Sequence, residues 1–536
     1  MRSQTRFNVT LWSDNRLGGR RFLMRTLQPL IFAAGLAGLV AAEGARAAES
    51  GLAGKRPNIV FMLTDDQGYG DFSAHGNPVL RTPNLDRLRA EGVRFDDFHV
   101  GPTCAPTRSA LLTGRHAFKN GVTHTILERE RLTLKATTLA QVLKSAGYAT
   151  GIFGKWHLGD EAAYQPGRRG FDEVFIHGGG GIGQTYPGSC GDAPGNTYFK
   201  PAILHNGRFV KTEGYCTDVF YEQAARWIDG QRKGGKPFFA YIASNAPHSP
   251  YVARPEDKAL FAGKGLTEDE QNFFGMLHNI DQNVGQLLAR LDAWGIAQNT
   301  LVVFMNDNGG TAGVKVFNAG LRGGKGTAFL GGTRAASFWR WPGTLKPGDC
   351  RALTAHIDFF PTLAELAGAS LPEAVRGQVE GRSLVPLLEN PGAAWADRCL
   401  FTHLGRWGKL DDPNESKFRM AAVRNARWAL VSEKGGREPQ WQLFDLSNDT
   451  GQKTNVVGRH PEVARELASA FDRWWAECLP LMDNEKSLGP ELNPFQALYY
   501  AQFGGSPTPE DLRRMDPRGA LTFGKTPARK QKEANR

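Results

Sequence analysis

The sequence predicts an α/β fold: a large, mostly parallel mixed sheet flanked by helices, followed by a small C-terminal α+β domain with a short antiparallel sheet. Three observations predict it. Continuous apolar runs alternate with helix-like segments from residue 57 onward. Polar residues directly follow several of these runs, as they do at the carboxyl ends of buried parallel strands. After about residue 400 the runs become short and turn residues separate them.

The large domain is assigned to residues 56–395. Apolar runs predict buried strands at 59–64, 149–153, 237–242 and 300–305. Helical periodicity predicts helices at 84–92, 109–113, 138–146 and 281–291. A chain of 536 residues is long enough to give such a domain a sizeable core.

The small domain is assigned to residues 396–483. Short strands are predicted at 418–424, 428–432 and 441–446, and an amphipathic helix is predicted at 461–475. Residues 484–536 contain Pro, Gly and Lys/Arg runs, so a basic, loosely ordered tail is expected there.

The net charge of +11 is concentrated at the two ends of the chain. Residues 1–47 contribute +5 and residues 513–536 contribute +6, which leaves the body between them neutral. A neutral body has no global field for nucleic acid, so no nucleic-acid partner is expected.

The first 47 residues are typical of an export signal. Arg20, Arg21 and Arg25 precede an apolar stretch at 27–42, and Ala45-Arg46-Ala47 offers a cleavage site. We therefore expect a periplasmic or extracellular location. The alternative is that the segment is retained as an N-terminal anchor. Export by the Sec route and by the twin-arginine route are both compatible with the sequence. In an exported protein some of the six cysteines should pair, and Cys190–Cys216 and Cys350–Cys399 are the nearest candidates.

The densest motif is CAPTRSALLTGR, which begins at Cys104. It resembles the sulfatase signature, in which the cysteine is oxidised to formylglycine by a formylglycine-generating enzyme. The resemblance implies an arylsulfatase-like enzyme of the alkaline-phosphatase superfamily and its fold. A hydrated aldehyde suits a sulfate ester because one hydroxyl attacks sulfur and the other later loses its proton to expel sulfate. Arg108 is expected to orient this group.

Two polar pairs at strand ends supply hard oxygen donors, which suit Ca²⁺ or Mg²⁺ and not zinc. They are Asp65-Asp66 and Asp307-Asn308. They match the metal ligands of sulfatases, which together with the modified Cys104 bind one ion, and the family norm is Ca²⁺.

Three further motifs extend the resemblance. Residues 154–159 (GKWHLG) imply that Lys155 holds the formylglycine hydroxyl and that His157 takes its proton. Residues 245–251 (NAPHSPY) imply a sulfate or ester contact by His248. Residues 321–327 (LRGGKGT) imply that Lys325 binds sulfate and protonates the leaving oxygen. Lys155, His248 and Lys325 are thus expected to bind substrate as well as to act in catalysis.

The sequence therefore predicts a sulfuric ester hydrolase that acts on a sulfated carbohydrate or an aryl sulfate. His403 and Arg406 are candidate sugar contacts at the domain junction, with interdomain packing as the alternative. There are two alternative functions. One is a phosphonate or phosphate ester hydrolase of the same superfamily, and the other is a non-catalytic binder of sulfated glycans. A phosphate monoester favours two close metal ions, whereas these ligands predict one.

Overall fold

The computed structural model describes residues 51–522, so the predicted signal peptide, residues 1–47, lies outside the described residues. The strands in chain order are β1 Asn58–Thr64, β2 Val93–Phe95, β3 Phe98–His99, β4 Ala149–Lys155, β5 Glu173–His177, β6 Ala202–His205, β7 Arg208–Lys211, β8 Phe238–Ala243, β9 Thr300–Asn306, β10 Ser337–Arg340, β11 Gly348–Cys350, β12 Thr354–Ala355, β13 Leu400–His403, β14 Arg419–Arg424, β15 Trp428–Lys434 and β16 Trp441–Asp445.

The large sheet has ten strands in the order β11-β2-β10-β9-β1-β8-β4-β5-β6-β7. Its centre, from β9 to β5, is wholly parallel, whereas β10, β6 and β7 pair antiparallel with their neighbours. Central parallel strands are covered on both faces, which is why β1, β8 and β9 are buried along their whole length. The predicted mostly parallel, mixed sheet is confirmed.

Helices and two apolar cores cover the faces of this sheet. The helices in chain order are α1 Pro83–Ala90, α2 Cys104–Thr113, α3 Leu139–Ser145, α4 Cys216–Lys233, α5 Pro255–Ala259, α6 Glu268–Ala293, α7 Leu330–Thr333, α8 Phe359–Leu366, α9 Glu373–Gln378, α10 Val385–Glu389, α11 Pro461–Cys478, α12 Pro494–Phe503 and α13 Pro509–Met515. Within residues 51–522, no helix combines the length and the apolar character needed to cross a bilayer.

The small sheet is antiparallel, in the order β13-β14-β15-β16, as the short, turn-separated runs predict. Helix α11 packs its apolar face against this sheet through Leu467, Phe471 and Trp474. The helix also contacts Phe118 of the large domain, because the ring of Trp474 stacks on it at a centroid distance of 6.0 Å. The small domain is therefore packed directly against the large one.

The expectation of a loosely ordered tail is wrong for residues 484–522. Helices α12 and α13 lie in this segment, and Phe495, Met515 and Ala520 are almost fully buried. The overall composition of the segment did not predict burial of these few apolar residues. They pack against the large domain and not against each other. Residues 523–536 of the predicted tail lie outside the described residues.

The expected disulfides are not formed. All six cysteines are free thiols, and five of them are buried. The Cys216 thiol donates to Asn245 Oδ1 at 3.5 Å, and the Cys190 thiol lies 3.9 Å from the Thr125 carbonyl oxygen. Proximity in sequence was a poor guide because Cys216 begins α4, whereas Cys190 lies in the loop between β5 and β6, in different surroundings.

Candidate active site

Four oxygen-bearing side chains converge where β1 and β9 end. The two strands pair in parallel, so Asp65-Asp66 and Asp307-Asn308 leave the sheet side by side. Asn308 Nδ2 donates to Asp66 Oδ1 at 3.0 Å, and the Asp66 backbone N donates to Asp307 Oδ1 at 3.3 Å. All four residues are buried. Asp66 has a left-handed backbone (φ 71°), a strained conformation that clusters at functional sites.

Each of the three carboxylates has a cationic partner. Lys155, the last residue of β4, binds Asp65. Arg108 Nη2 lies 2.9 Å from Asp307 Oδ2, and Lys325 Nζ lies 2.6 Å from Asp66 Oδ1. Buried charges are tolerated when they are paired in this way, and removing one partner costs about 3–5 kcal/mol. The fold therefore brings three acidic and three basic side chains together in three ion pairs.

The pKa values at the site show how closely the charges are packed. Although burial acts in the opposite direction, Lys155 and the neighbouring cations hold the pKa of Asp65 below its usual range. Burial and the negative charge of Asp65 raise the pKa of Asp307. Although burial opposes it, the charge of Asp66 raises the pKa of Lys325. The acidic and basic side chains of the site therefore interact strongly with one another.

Cys104 begins helix α2 and lines a cavity of about 330 Å³. Arg108 follows one turn later on the same helix face, where Nη1 donates to the Lys155 carbonyl oxygen at 3.1 Å. Gly101 and Pro102 precede the helix, and the Lys325 loop is tied to them because Gly326 N donates to the Pro102 carbonyl oxygen at 2.8 Å. Cys104 and Arg108 thus lie on one helix, and the Lys325 loop is hydrogen-bonded to the segment that precedes it.

Both histidines that the motifs predict, His157 and His248, line this cavity. His157 lies in a left-handed turn after β4 (φ 60°), and its Nε2 donates to the Thr125 carbonyl oxygen at 2.6 Å. Its Nδ1 is buried and has no hydrogen-bond partner. His248 Nδ1 donates to the Ser249 carbonyl oxygen at 2.7 Å, which leaves Nε2 at 3.8 Å from Asp66 Oδ2. Burial lowers the pKa of both rings, so both are neutral at neutral pH.

The upper wall of the cavity was not found from the sequence. Apart from Ser249, which lies in the 245–251 motif, it is formed by residues that motif resemblance does not mark: His124, Thr125, Ile126, Gly180, Gln184 and Tyr186. The glycine-rich run at 178–183 is a signal that could have found part of this wall, since such a run is typical of a loop, but it does not indicate which residues face the cavity.

The two candidate sugar contacts have different outcomes. Arg406 lines the cavity together with Cys104, His248 and Lys325. The assignment of His403 as a sugar contact is wrong, because its ring is buried between Trp407 and Trp475 and its Nε2 donates to the Ser416 and Lys417 carbonyl oxygens. His403 ends β13 and points into the small-domain core, whereas Arg406 lies in the loop that follows.

A second cavity, of about 450 Å³, lies between α11 and the large domain. Its walls include His116, His356 and Arg473, and none of the candidate active-site residues. Its lining histidines are engaged in packing: His116 meets the Trp474 ring edge-on at 4.6 Å, and His356 Nδ1 donates to the His99 carbonyl oxygen at 3.0 Å. Size therefore does not identify the active site, whereas the converging charges do.

Comparison with known proteins agrees with this geometry. The sulfatase family profile matches residues 57–369, and the C-terminal profile of N-sulphoglucosamine sulphohydrolase matches residues 331–474. The chain is 34% identical over 464 residues to arylsulfatase A of Bos taurus, which covers 77% of this chain and 86% of the relative. It is 33% identical over 380 residues to N-acetylgalactosamine-6-sulfatase of Canis lupus familiaris, covering 65% and 69%.

Among solved structures, Ps i-CgsB in complex with a neocarrahexaose superimposes with a TM-score of 0.69 and 30% identity, covering 80% of this chain and 94% of that one. The matched regions include every strand of the large sheet and both polar pairs at its edge. The chain belongs to the sulfatase family and is a sulfatase, an enzyme that hydrolyses sulfuric esters.

Proposed function

We propose that this sulfatase hydrolyses sulfate esters of carbohydrates, and aryl sulfates, with a formylglycine made from Cys104 and one bound Ca²⁺. The observation that carries the proposal is the convergence of Cys104 with three matched acid–base pairs at one edge of the sheet. A formylglycine-generating enzyme is the maturation partner that this requires. An exported location, periplasmic or extracellular, is proposed from residues 1–47.

The donor set fits a hard divalent cation. Asp65 Oδ1 and Asn308 Oδ1 are buried and have no hydrogen-bond partner, although both are good ligands for such an ion. Asp65, Asp66, Asp307 and Asn308 would hold Ca²⁺ together with the group at position 104. The ion supplies positive charge that polarises an ester oxygen. Mg²⁺ is the alternative ion.

The protein side chains around position 104 orient and move protons. Arg108 and Lys155 provide the positive charge beside it, and both are fixed by buried carboxylates. His157 donates through Nε2 to a carbonyl oxygen, so its free Nδ1 is the atom that accepts a proton. A neutral ring suits this role, and burial with the nearby Lys155 charge lowers its pKa.

Lys325 and His248 both lie next to Asp66. Lys325 Nζ is 2.6 Å from Asp66 Oδ1, and His248 Nε2 is 3.8 Å from Asp66 Oδ2. We assign them to the sulfate oxygens and the leaving oxygen. The hydrated group at position 104 would supply the hydroxyl that attacks sulfur, and the proton required by the leaving alcohol comes from Lys325, because the neutral His248 ring carries its only N–H proton on Nδ1. Their contact with one carboxylate explains why the two act at the same substrate position.

Replacing a metal ligand and removing the metal by chelation together test whether the protein binds and needs Ca²⁺. The Asp65→Asn variant should lose the stoichiometric calcium that wild-type protein retains after dialysis, measured by elemental analysis, and activity should fall by about a hundredfold or more. Asp229→Asn is the matched control, because Asp229 is a surface acid paired with Arg232 and Lys233. Full activity of wild-type protein after exhaustive chelation would contradict the calcium assignment.

A substrate panel tests the reaction. Purified protein should release sulfate from sulfated mono- and oligosaccharides and from a chromogenic aryl sulfate, and ion chromatography measures the sulfate. The neocarrahexaose bound by Ps i-CgsB supports including sulfated oligosaccharides in the panel. Cleavage of phosphonate or phosphate esters with no release of sulfate would favour the alternative hydrolase. Binding of the glycans without any turnover would favour a non-catalytic binder.

A further inference from the structure

The cavity contains one cation that the proposed chemistry does not use. The Arg406 side chain lines it beside Cys104, His248 and Lys325. Arg406 Nη2 donates to Thr125 Oγ1 at 3.0 Å, while the carbonyl oxygen of the same Thr125 accepts from His157 at 2.6 Å. A single residue therefore joins the guanidinium to His157, and both side chains line the same cavity.

The backbone around Arg406 is fixed on both sides. Arg406 N donates to the Thr123 carbonyl oxygen at 3.1 Å, and Arg129 Nη1 donates to the Trp407 carbonyl oxygen at 2.7 Å. Gly405 permits this approach, since a Cβ atom there would lie 2.0 Å from the Thr123 oxygen. Arg406 itself has a left-handed backbone (φ 61°), a conformation that costs a non-glycine residue free energy. The structure holds the Arg406 guanidinium in place although the conformation is unfavourable.

Within residues 51–522, the charge of Arg406 is not paired with an acidic side chain. Lys155, Lys325 and Arg108 each bind one of the three acids of the site. Lys409, three residues after Arg406, binds Glu128 at 2.9 Å. Among the residues that the structure describes, no carboxylate lies within ion-pairing distance of Arg406, and its buried Nε has no hydrogen-bond partner. A positioned guanidinium with donors to spare is typical of a binding site for an oxyanion.

We propose that Arg406 binds a second acidic group of the substrate, a carboxylate or a further sulfate next to the ester that is hydrolysed. This inference rests on the proposed function and narrows its substrate class to carbohydrates with two anionic groups in proximity. A planar guanidinium binds either a carboxylate or a sulfate through two parallel hydrogen bonds. The sulfate that is hydrolysed is already bound by Lys325 and His248, so Arg406 is available for the second group. Arg406 thus determines specificity and takes no part in bond breaking.

The experiment compares paired substrates: monosulfated sugars, and the same sugars carrying a second sulfate or a neighbouring carboxylate. The ratio of kcat/KM for the doubly charged over the singly charged member is the readout. Wild-type protein should prefer a doubly charged member, and Arg406→Ala should lower the ratio about 10- to 100-fold. Arg406→Lys should retain part of the preference because it keeps the charge, and higher salt should weaken it.

Arg437→Ala is the control, since Arg437 is an exposed arginine paired with Glu415, and its ratio should equal the wild-type ratio. Arg406→Gln, with similar bulk, replaces the alanine variant if that variant melts early. Absence of any preference in wild-type protein, or an unchanged ratio in the Arg406 variants, would overturn the inference while leaving sulfatase activity intact. Failure of wild-type protein to hydrolyse any sulfate ester would instead contradict the proposed function.

Discussion

The floor and the rim of the cavity are built in different ways. We call the floor the buried layer of Asp65, Asp66, Asp307, Asn308 and Lys155, all at the ends of parallel strands. This layer meets the cavity through Lys325 and His248, which line it, and its charges are paired with basic side chains. The rim consists of loop residues 123–130, 178–192 and 404–409, which lie outside the large sheet. Sheet topology therefore fixes the positions of the floor residues, whereas separate loops form the rim.

The strongest test of this contrast removes the proposed source of the nucleophile, Cys104, which lines the cavity at the start of α2. Cys104→Ala should lower turnover by about four orders of magnitude or more, because no other side chain at this position can supply the reactive group. Circular dichroism and thermal melting should remain close to wild type, since alanine removes only a small buried side chain. Near-normal turnover by this variant would refute the formylglycine assignment.

The sequence predicted the floor well for a physical reason. Buried parallel strands appear as continuous apolar runs, so the residue that follows each run lies at the functional edge. Asp65 after β1, Lys155 at the end of β4 and Asp307 after β9 all follow this rule. The motifs then predicted the chemistry. The structure brings His157, His248 and Lys325 to the same cavity and buries Arg108 against Asp307.

A second test concerns the tail that supports the rim. Asn493 donates to the Ser189 carbonyl oxygen and caps α12 by accepting from Phe495 N at 3.0 Å. Asn493→Ala should destabilise the protein by about 2 kcal/mol and raise KM about three- to tenfold, because residues 178–192 then lose a fixed support. Urea unfolding and steady-state kinetics measure the two effects.

Gln502→Ala is the matched control from the same helix. Gln502 accepts from Phe209 N at 2.8 Å and donates to the Phe209 carbonyl oxygen at 2.7 Å, far from the cavity. It should lower stability by a similar amount and leave KM unchanged. Equal KM values in the two variants would show that the tail contributes stability alone.

The rim was not predicted from the sequence, because its residues come together through long-range contacts that leave no local sequence pattern. His124 and Tyr186 lie more than 60 residues apart in the chain, and the tail that supports them follows some 300 residues later. His403 and Arg406, only three residues apart, illustrate the limit. The first ends a strand and faces an aromatic core, and the second follows in a turn and faces the cavity.

The smallest expected effect also lies in the rim. Burial, with a contribution from the Glu128 charge, raises the pKa of Glu130 to about 7, and one of its carboxylate oxygens has no partner. A carboxyl whose pKa is raised on folding contributes stability below its unfolded pKa and loses that contribution as pH rises through the folded value. Wild-type protein should therefore lose about 1–2 kcal/mol between pH 5 and pH 8 that Glu130→Gln retains.

Urea unfolding at the two pH values measures this difference, with Glu213→Gln as an exposed control. Ser189 Oγ, which donates to Glu130 Oε1 at 3.2 Å, finds the same acceptor in the glutamine variant. An identical loss of stability in wild-type and Glu130→Gln protein would show that Glu130 does not titrate in this range.

The most direct test of the central claim is the mass of the tryptic peptide Phe95–Arg108, which contains Cys104. In active protein from a host with a formylglycine-generating enzyme, the peptide should have lost one sulfur and two hydrogens and gained one oxygen relative to the cysteine form. The modified fraction should rise in proportion to specific activity. Fully active protein whose peptide carries an intact cysteine thiol would contradict the claim that Cys104 is the source of the reactive group.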